Sequence, residues 1–221
     1  VGLRHLVVSG AAAVSGGLRA ATRDDLAGLP VDVAPRLLGG VLTTLVEGET
    51  VRVRLTEVEA YGGSDDPGSH AYRGRTARNA TMFGPPGRLY VYFSYGMHWC
   101  ANLVTGTDGN ASAVLLRAGE VVEGSEVART RRVTSKVDRD LASGPARLAS
   151  ALGLTGNDNG ASVDGEDGHV MPGQVKVSLR VPETRPGPWE RGPRTGVSGD
   201  GGNGTNYPWR IWLAGEPTVS R

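Results

Sequence analysis

Alternating apolar and polar positions predict that strands make up most of the regular structure of this chain. The strongest run is Leu89 to Ser94, whose alternation puts Tyr90 and Tyr92 on one face and sends Tyr95 to the other. Further strand-like runs, separated by turn residues, cover 41–46, 51 onward, 98–105 and 113–117. The better helical signals lie at 120–132 and 145–152. This pattern predicts an α+β fold: a single compact domain with a curved, mainly antiparallel sheet, peripheral helices and long loops.

One predicted strand carries two carboxylates in an unusual position. From Val51 to Thr56 the odd-numbered residues are apolar and the even-numbered residues are polar. Continuing this two-residue period places Glu57 and Glu59 on the apolar face. At least one carboxylate would then be partly desolvated, which would raise its pKa and make it a stronger base. The alternative is that a bulge turns both side chains to solvent, and periodicity alone leaves both interpretations open.

The length of 221 residues fits one sizeable domain. We expect residues 1–22 to be a weakly ordered N-terminal lead-in and residues 23–221 to form the domain. Leu3 to Leu18 faintly resembles an export signal, but its Gly and Ser residues make a poor apolar core. A mean hydropathy of −0.24 argues against a membrane span, and the lone Cys100 is typical of a reducing compartment. The sequence therefore predicts an intracellular protein.

The net charge of +1 hides a local imbalance. Residues 57–95 contain five of the six tyrosines and both phenylalanines. The overlapping stretch 67–107 has no Asp or Glu, yet it carries Arg73, Arg75, Arg78 and Arg88. Arginine attracts phosphates, aromatic faces stack on an extruded base, and a nearby carboxylate can activate water. The combination favours chemistry on a nucleic-acid base, although genomic composition could also produce the arginine bias.

Other chemistries have weak support. The four histidines are scattered and no paired-cysteine spacing exists, so we expect no metal and no cofactor. There is no Gly-x-Ser-x-Gly elbow for a serine nucleophile. Hydrolysis driven by a carboxylate remains, and the aromatic residues indicate a flat substrate.

Many motifs of this chain resemble the alkyladenine (3-methyladenine) DNA glycosylases. The resemblance spans about residue 23 to the C-terminus, with the motifs in the expected order. They are Glu57–Tyr61, Asp66–Ala71, Arg75–Asn79, Met82–Gly87, Leu89–Met97, Asn102, Ala113–Ala118, Gly144–Leu148, Pro193–Gly196 and Trp209-Arg210.

The resemblance implies roles for three residues in catalysis. Glu59 aligns with the general base that positions and deprotonates the attacking water, and Arg117 with an arginine that helps to hold that water. A backbone carbonyl in the segment 194–197, which we assign to Thr195, would be a third contact. Glu57 is then expected to be structural.

The resemblance also implies a pocket for a flipped purine. Tyr61 and His70 align with one wall of this pocket and Tyr92 with the opposite wall, so that the base is sandwiched. Asn102 aligns with the residue that crowds the 2-amino group of guanine and so discriminates against normal guanine.

A projecting β-hairpin is expected to enter DNA. Tyr95 aligns with the wedge that is inserted into the duplex, and Met97 with a neighbouring intercalation contact. Arg75, Arg78 and Arg131 are candidate phosphate contacts, although a charge run such as the basic end at 129–132 is more often a solvated face. The expected partner is double-stranded DNA with damaged purines, bound by a monomer in the cytoplasm or nucleoid of a bacterium or in a eukaryotic nucleus.

The sequence thus predicts a monofunctional DNA glycosylase that flips alkylated or deaminated purines and leaves an abasic site. One alternative is a catalytically silent lesion-binding protein, which an intact Glu59 and Arg117 argue against. Another is a nucleosidase for small nucleosides, in which Tyr95 and Met97 would be redundant.

Overall fold

An antiparallel sheet provides the framework of the molecule. The computed structural model describes residues 17–163, 175–184 and 186–220, and within these ranges nine strands join in one sheet. The strands are β1 (Leu18–Ala20), β2 (Val41–Val46), β3 (Glu49–Tyr61), β4 (Leu89–Ser94), β5 (His98–Val104), β6 (Ala113–Glu123), β7 (Lys176–Pro182), β8 (Trp189–Gly192) and β9 (Arg210–Leu213). All their pairings are antiparallel. The predicted α+β domain with an antiparallel sheet is confirmed.

Strand β3 is the longest strand and lies in the middle of the sheet. The main strand order is β1-β7-β2-β3-β6-β5-β4, with β9 also beside β3 and β8 beside β9. Residues 49–54 of β3 pair with β2, and residues 57–59 pair with β9. The other edge of β3 pairs with β6 over most of its length. The second half of β3 therefore has neighbours on both edges, which fixes the direction of its side chains.

Helices cover the sheet where its face is apolar. They are α1 (Arg23–Leu26), α2 (Pro30–Leu37), α3 (Ser125–Arg131) and α4 (Pro145–Leu152), with 3₁₀ turns at 80–83, 138–140, 156–158 and 200–202. Helix α2 packs on β3, and α4 packs on β5 and β6. Buried Leu37 and Leu148 are two of the apolar side chains that these helices add to the main core.

The helix predicted at 120–132 is wrong in its first part. Glu120 to Glu123 extend β6, where Glu120 and Glu123 face Arg54 and Arg52 of β3 and form ion pairs with them. Such cross-strand pairs favour the strand over the helix. Gly124 then turns the chain with a φ of 78°, a conformation that costs glycine little. The helix begins only after this turn.

A bulge changes which side chains of β3 face the core. An extra residue of β3 lies opposite β6 between Leu55 and Glu57, and a second register shift follows at once. Leu55 belongs to the apolar core before the bulge, whereas Val58 and Ala60 belong to it afterwards. A shift of one residue exchanges the two faces of a strand. Glu57 and Glu59 therefore do not share the face of Leu55, as the period had predicted, yet both are fully buried rather than exposed to solvent.

The N-terminal boundary also differs from the expected one. Leu18–Ala20 form β1, which pairs with β7. Thr22 caps α1 through two reciprocal hydrogen bonds. The backbone N–H of Asp25 donates to the Thr22 side chain, and the backbone N–H of Thr22 donates to the Asp25 carboxylate. Residues 18–22 are therefore part of the folded unit, and the prediction for residues 1–16 lies outside the described ranges. None of the helices within those ranges is long and apolar enough to cross a membrane.

Candidate active site

A cavity of about 480 Å³ lies beside the second half of β3. Strands β3 to β6 and the loops at 67–70 and 195–198 form its walls. Its volume is in the range of small-molecule sites. The lining contains every residue predicted for catalysis and for the base pocket, namely Glu59, Arg117, Thr195, Tyr61, His70, Tyr92 and Asn102, and also Tyr95 and Arg78. Met97, Arg75 and Arg131 are outside this lining.

Glu59 is held by two hydrogen bonds and one ion pair. The backbone N–H of Thr195 donates to its Oε1 at 2.7 Å and the hydroxyl of Tyr61 donates to its Oε2 at 2.9 Å. Arg117 Nη1 lies 3.3 Å from the same Oε1. Burial raises the pKa of the Glu59 carboxyl above its ordinary value, while the charge of Arg117 and the two hydrogen bonds lower it in part. The site thus holds a desolvated carboxylate in a fixed orientation beside an open cavity, which suits a general base.

Thr195 contacts Glu59 directly, because its amide N–H donates to the carboxylate. This hydrogen bond restrains the general-base candidate itself. The contact of the Thr195 carbonyl with the attacking water stays a prediction.

Glu57 is saturated by partners on the far side of the strand from the apolar core. Arg117 Nε donates to its Oε1 at 2.8 Å, and Arg210 Nε donates to the same oxygen. Ser220 donates its backbone N–H to Oε2 at 2.6 Å and its hydroxyl to Oε1 at 3.1 Å. The guanidinium of Arg117 therefore bridges Glu57 and Glu59. Glu57 has a structural role, and it fixes Arg117 beside the cavity.

The aromatic walls are closer together than a sandwiched base requires. The ring centroids of His70 and Tyr92 are 4.6 Å apart, with the rings nearly perpendicular. A base between two parallel rings needs about 7 Å, twice a carbon–carbon contact. His70 and Tyr92 as they stand thus touch edge to face, and one of them must move to admit a base between them. Loss of water around the imidazole and the nearby charge of Arg78 lower the pKa of His70, which favours the neutral ring.

Tyr90 is a cavity residue to which the sequence analysis gave no role. Its hydroxyl lies 3.0 Å from His70 Nδ1, and its ring stacks on Tyr92 at 5.5 Å. Burial raises the pKa of Tyr90 to about 12, so the phenol stays protonated. The shared strand face of Tyr90 and Tyr92 was the available signal. Asn102, on the neighbouring strand, donates its Nδ2 to the Tyr90 carbonyl at 3.0 Å, which leaves the amide oxygen and a second N–H for other partners.

Tyr95 lies in the turn of the β4–β5 hairpin. Tyr95 and Gly96 have φ values of 49° and 66°, as the central residues of a type I′ turn require. Because β4 ends at Ser94, the strand alternation does not extend to Tyr95. Tyr95 therefore borders the same cavity as Tyr92 and does not point away from it, as the alternation had predicted. Tyr95 and Met97 are 85% and 68% exposed. The hairpin thus presents two large apolar side chains to solvent at the rim of the cavity.

The three arginines predicted to contact phosphate lie in different surroundings. Arg78 is exposed at the rim and stands over the Tyr92 ring at 5.7 Å, and exposed Arg75 stands over Phe83 at 5.9 Å. Arg131 donates to a backbone carbonyl in the last turn of α4 at 3.1 Å, so it caps a helix away from the cavity. Within the described ranges, no group of His, Cys, Asp and Glu could hold a metal ion.

Comparison with known proteins identifies the class to which this fold and site belong. The family model for methylpurine-DNA glycosylase matches residues 24–217. The chain belongs to this family, so it is a hydrolase that acts on N-glycosyl bonds in DNA repair. The resemblance inferred from the motifs is confirmed.

The names of similar curated proteins indicate the type of DNA glycosylase. A protein of Streptomyces avermitilis is 54% identical over 199 residues, which are 90% of each chain. A protein of Leifsonia xyli is 51% identical over 203 residues, again 90% of each chain. A protein of Frankia casuarinae is 52% identical over 197 residues, 85% of this chain and 86% of the relative. Each carries the provisional name 3-methyladenine DNA glycosylase. The chain is accordingly a DNA glycosylase of the methylpurine, or 3-methyladenine, type.

Proposed function

We propose that this protein is a monofunctional glycosylase that turns alkylated or deaminated purines out of duplex DNA and hydrolyses their N-glycosidic bond. The observation that carries the proposal is the geometry of Glu59, a buried carboxylate held by Thr195, Tyr61 and Arg117 at the wall of a cavity large enough for a base. A desolvated carboxylate is a stronger base than an exposed one.

For an alkylated purine the chemical step needs only water and this carboxylate, whereas a neutral deaminated purine also needs an acid that protonates the leaving base. Glu59 takes a proton from a water molecule, whose oxygen forms a bond to C1′ while the bond between C1′ and the purine nitrogen breaks. The electron pair of the broken bond leaves with the purine. Alkylation at N3 or N7 makes the purine cationic, so this leaving group needs little protonation. The negative charge of Glu59 also stabilises the positive charge that develops on the sugar.

Base extrusion is assigned to the hairpin. Exposed Tyr95 would fill the space that the base leaves in the duplex, with Met97 beside it and Arg75 and Arg78 near the phosphates. Extrusion costs a few kcal/mol and less for a weakly paired lesion, which itself favours damaged purines. One chain supplies the whole site, so we expect a monomer to act on double-stranded DNA.

The proposal includes the absence of strand cleavage, because a lyase needs an amine nucleophile. The only lysines of the sequence, Lys136 and Lys176, are exposed and neither lines the cavity. Duplexes that each carry one lesion are incubated with the protein and EDTA. We expect free base, and DNA breaks only after alkali treatment. Breaks without alkali would indicate a lyase, and binding without base release would indicate a catalytically silent protein.

Asn102→Ser is expected to relax the selectivity of the cavity. The shorter side chain leaves room beside the purine C2 position, and steric selection of this kind amounts to about tenfold. Excision of normal guanine should therefore rise about tenfold relative to excision of 3-methyladenine. The matched control is Asn206→Ser, because Asn206 is exposed and outside the lining. If Asn102→Ser excised guanine no faster than the wild type, Asn102 would not be a residue that selects the substrate.

A further inference from the structure

A buried ion pair next to the cavity has no part in the mechanism described above. Arg194 donates from Nη1 and Nη2 to the two carboxylate oxygens of Asp66, each at 2.7 Å. Both side chains are almost completely inaccessible, at 0% for Arg194 and 1% for Asp66. A buried ion pair is seldom a better stabiliser than apolar packing of the same volume. Its position therefore needs another explanation.

Arg194 touches the immediate neighbours of Glu59 in β3. Its Nη1 donates to the carbonyl of Ala60 at 3.1 Å, and its guanidinium lies over the ring of Tyr61 at 4.6 Å. Tyr61 is also the residue whose hydroxyl donates to Glu59. One guanidinium thus holds the backbone and the aromatic ring that follow Glu59 in the chain.

Arg194 also fixes the loop that supplies the amide donor. Thr195, whose N–H reaches Glu59, directly follows Arg194 in the chain. Arg194 Nη2 donates to the carbonyl of Gly201 at 2.6 Å, which ties the two ends of this loop together. Asp66 in turn accepts from the backbone N–H groups of Gly62 and Gly68, each at 2.9 Å. The pair therefore joins both loops that border the cavity to β3.

We propose that the Arg194–Asp66 pair is a positioning device for the general base: it keeps the N–H of Thr195 and the hydroxyl of Tyr61 directed at Glu59. The pair touches no reacting atom in this scheme, so both of its members are positioning residues. The inference rests on the proposed function, since it assigns a purpose to the geometry of Glu59 as a base.

The ionisation of Glu59 reports on this positioning. Four groups face its carboxylate: the Thr195 amide, the Tyr61 hydroxyl and Arg117 lower its pKa, and the neighbouring carboxylate of Glu57 raises it. If the amide and the hydroxyl move away, the stabilisation of the charged form is lost and the pKa rises. A base must be ionised to act, so excision would then be lost at a higher pH than in the wild type as the solution is acidified.

Arg194→Lys tests the proposal without changing the charge of the site. Lysine can reach Asp66, but it cannot form the bidentate pair, contact Ala60 and Gly201 together or stack flat on Tyr61. Arg54→Lys is the matched control. Arg54, on β3, is likewise an arginine held by carboxylates, Glu120 and Glu216, but it lies outside the cavity lining.

Two measurements are made on wild type and both variants. The amide resonance of Thr195 is followed against pH in a ¹H–¹⁵N spectrum without DNA, and single-turnover excision of 3-methyladenine from a duplex is followed against pH. We expect Arg194→Lys to shift both midpoints to higher pH and to lower the plateau rate about tenfold or more. Both variants should lower the thermal midpoint, but Arg54→Lys should keep the wild-type midpoints in pH and the wild-type plateau.

The outcomes separate the inference from the proposed function. If Arg194→Lys melts earlier but titrates and reacts like the wild type, the pair is merely structural and the proposal is overturned. The same holds if the wild-type Thr195 resonance is insensitive to Glu59 ionisation. If Arg194→Lys shifts the titration but even the wild type releases no base, the pair keeps its positioning role and the proposed glycosylase function is rejected.

Gly68→Ala is the second variant, because a Cβ there would collide with Arg194 Nη2 and displace it.

Discussion

Glu59→Gln is expected to lower the single-turnover rate of 3-methyladenine release about a thousandfold, the middle of the range for general acid–base catalysis. Glutamine keeps the size of the side chain, and its single amide oxygen can still accept from the N–H of Thr195, while its NH2 group would donate to the Tyr61 hydroxyl instead of accepting from it. It cannot take a proton from water. Binding of the damaged duplex should change little, since Glu59 is buried in the wall of the cavity and adds nothing to the exposed surface. The rate is measured with enzyme in excess, and binding by fluorescence anisotropy.

The control for this variant lies on the same strand. Glu49 is exposed at the first position of β3, so Glu49→Gln makes the same chemical change away from the cavity and should leave the rate unchanged. If Glu59→Gln released the base at the wild-type rate, another group would have to be the base.

Tyr95→Ala is expected to lower excision from duplex DNA about a hundredfold, because extrusion costs a few kcal/mol and the wedge offsets part of that cost. Excision from a single-stranded oligonucleotide should fall much less, since there is no duplex to open. The fold should be unaffected, because Tyr95 is 85% exposed in a turn. Single-turnover rates on the two substrates give the comparison.

Val133→Ala removes a comparably exposed apolar side chain, 83% accessible, from the loop after α3. It should leave both rates unchanged, which excludes a general effect of lost surface hydrophobicity. Equal losses on duplex and single strand in Tyr95→Ala would make Tyr95 a wall of the cavity rather than a wedge.

Local sequence patterns predicted the bounds of an element correctly where all the signals in that segment agreed. Strands β2 and β4 and helix α4 have the predicted bounds, because alternation, turn residues and the Pro145 and Gly153 signals all agree there. The strand at 113–117 proved to be longer, since ion pairs to β3 continue it to Glu123. Helical periodicity in 120–132 could not reveal those partners, which lie far away in the chain.

The sequence predicted many residues of the cavity lining but not their arrangement. The motifs identified Glu59, Tyr92 and Asn102, which line one cavity. The bulge in β3 reversed the strand faces, but β3 itself contains no glycine or proline, and the glycine at the bulge, Gly119, belongs to the partner strand β6. The contacts of Arg194 with Asp66 join positions 128 residues apart. Neither the periodicity nor the residue spacing of a single sequence can predict such a contact. The edge-to-face contact of His70 with Tyr92 likewise depends on packing.

The contact between Ser220 and Glu57 has a practical consequence for anyone who produces this protein. Two hydrogen bonds from Ser220 reach a carboxylate that shares Arg117 with the proposed base. A truncation that removes Ser220 would strip partners from a buried anion and loosen the arginine beside the cavity. Protein prepared for kinetic work should therefore retain this segment.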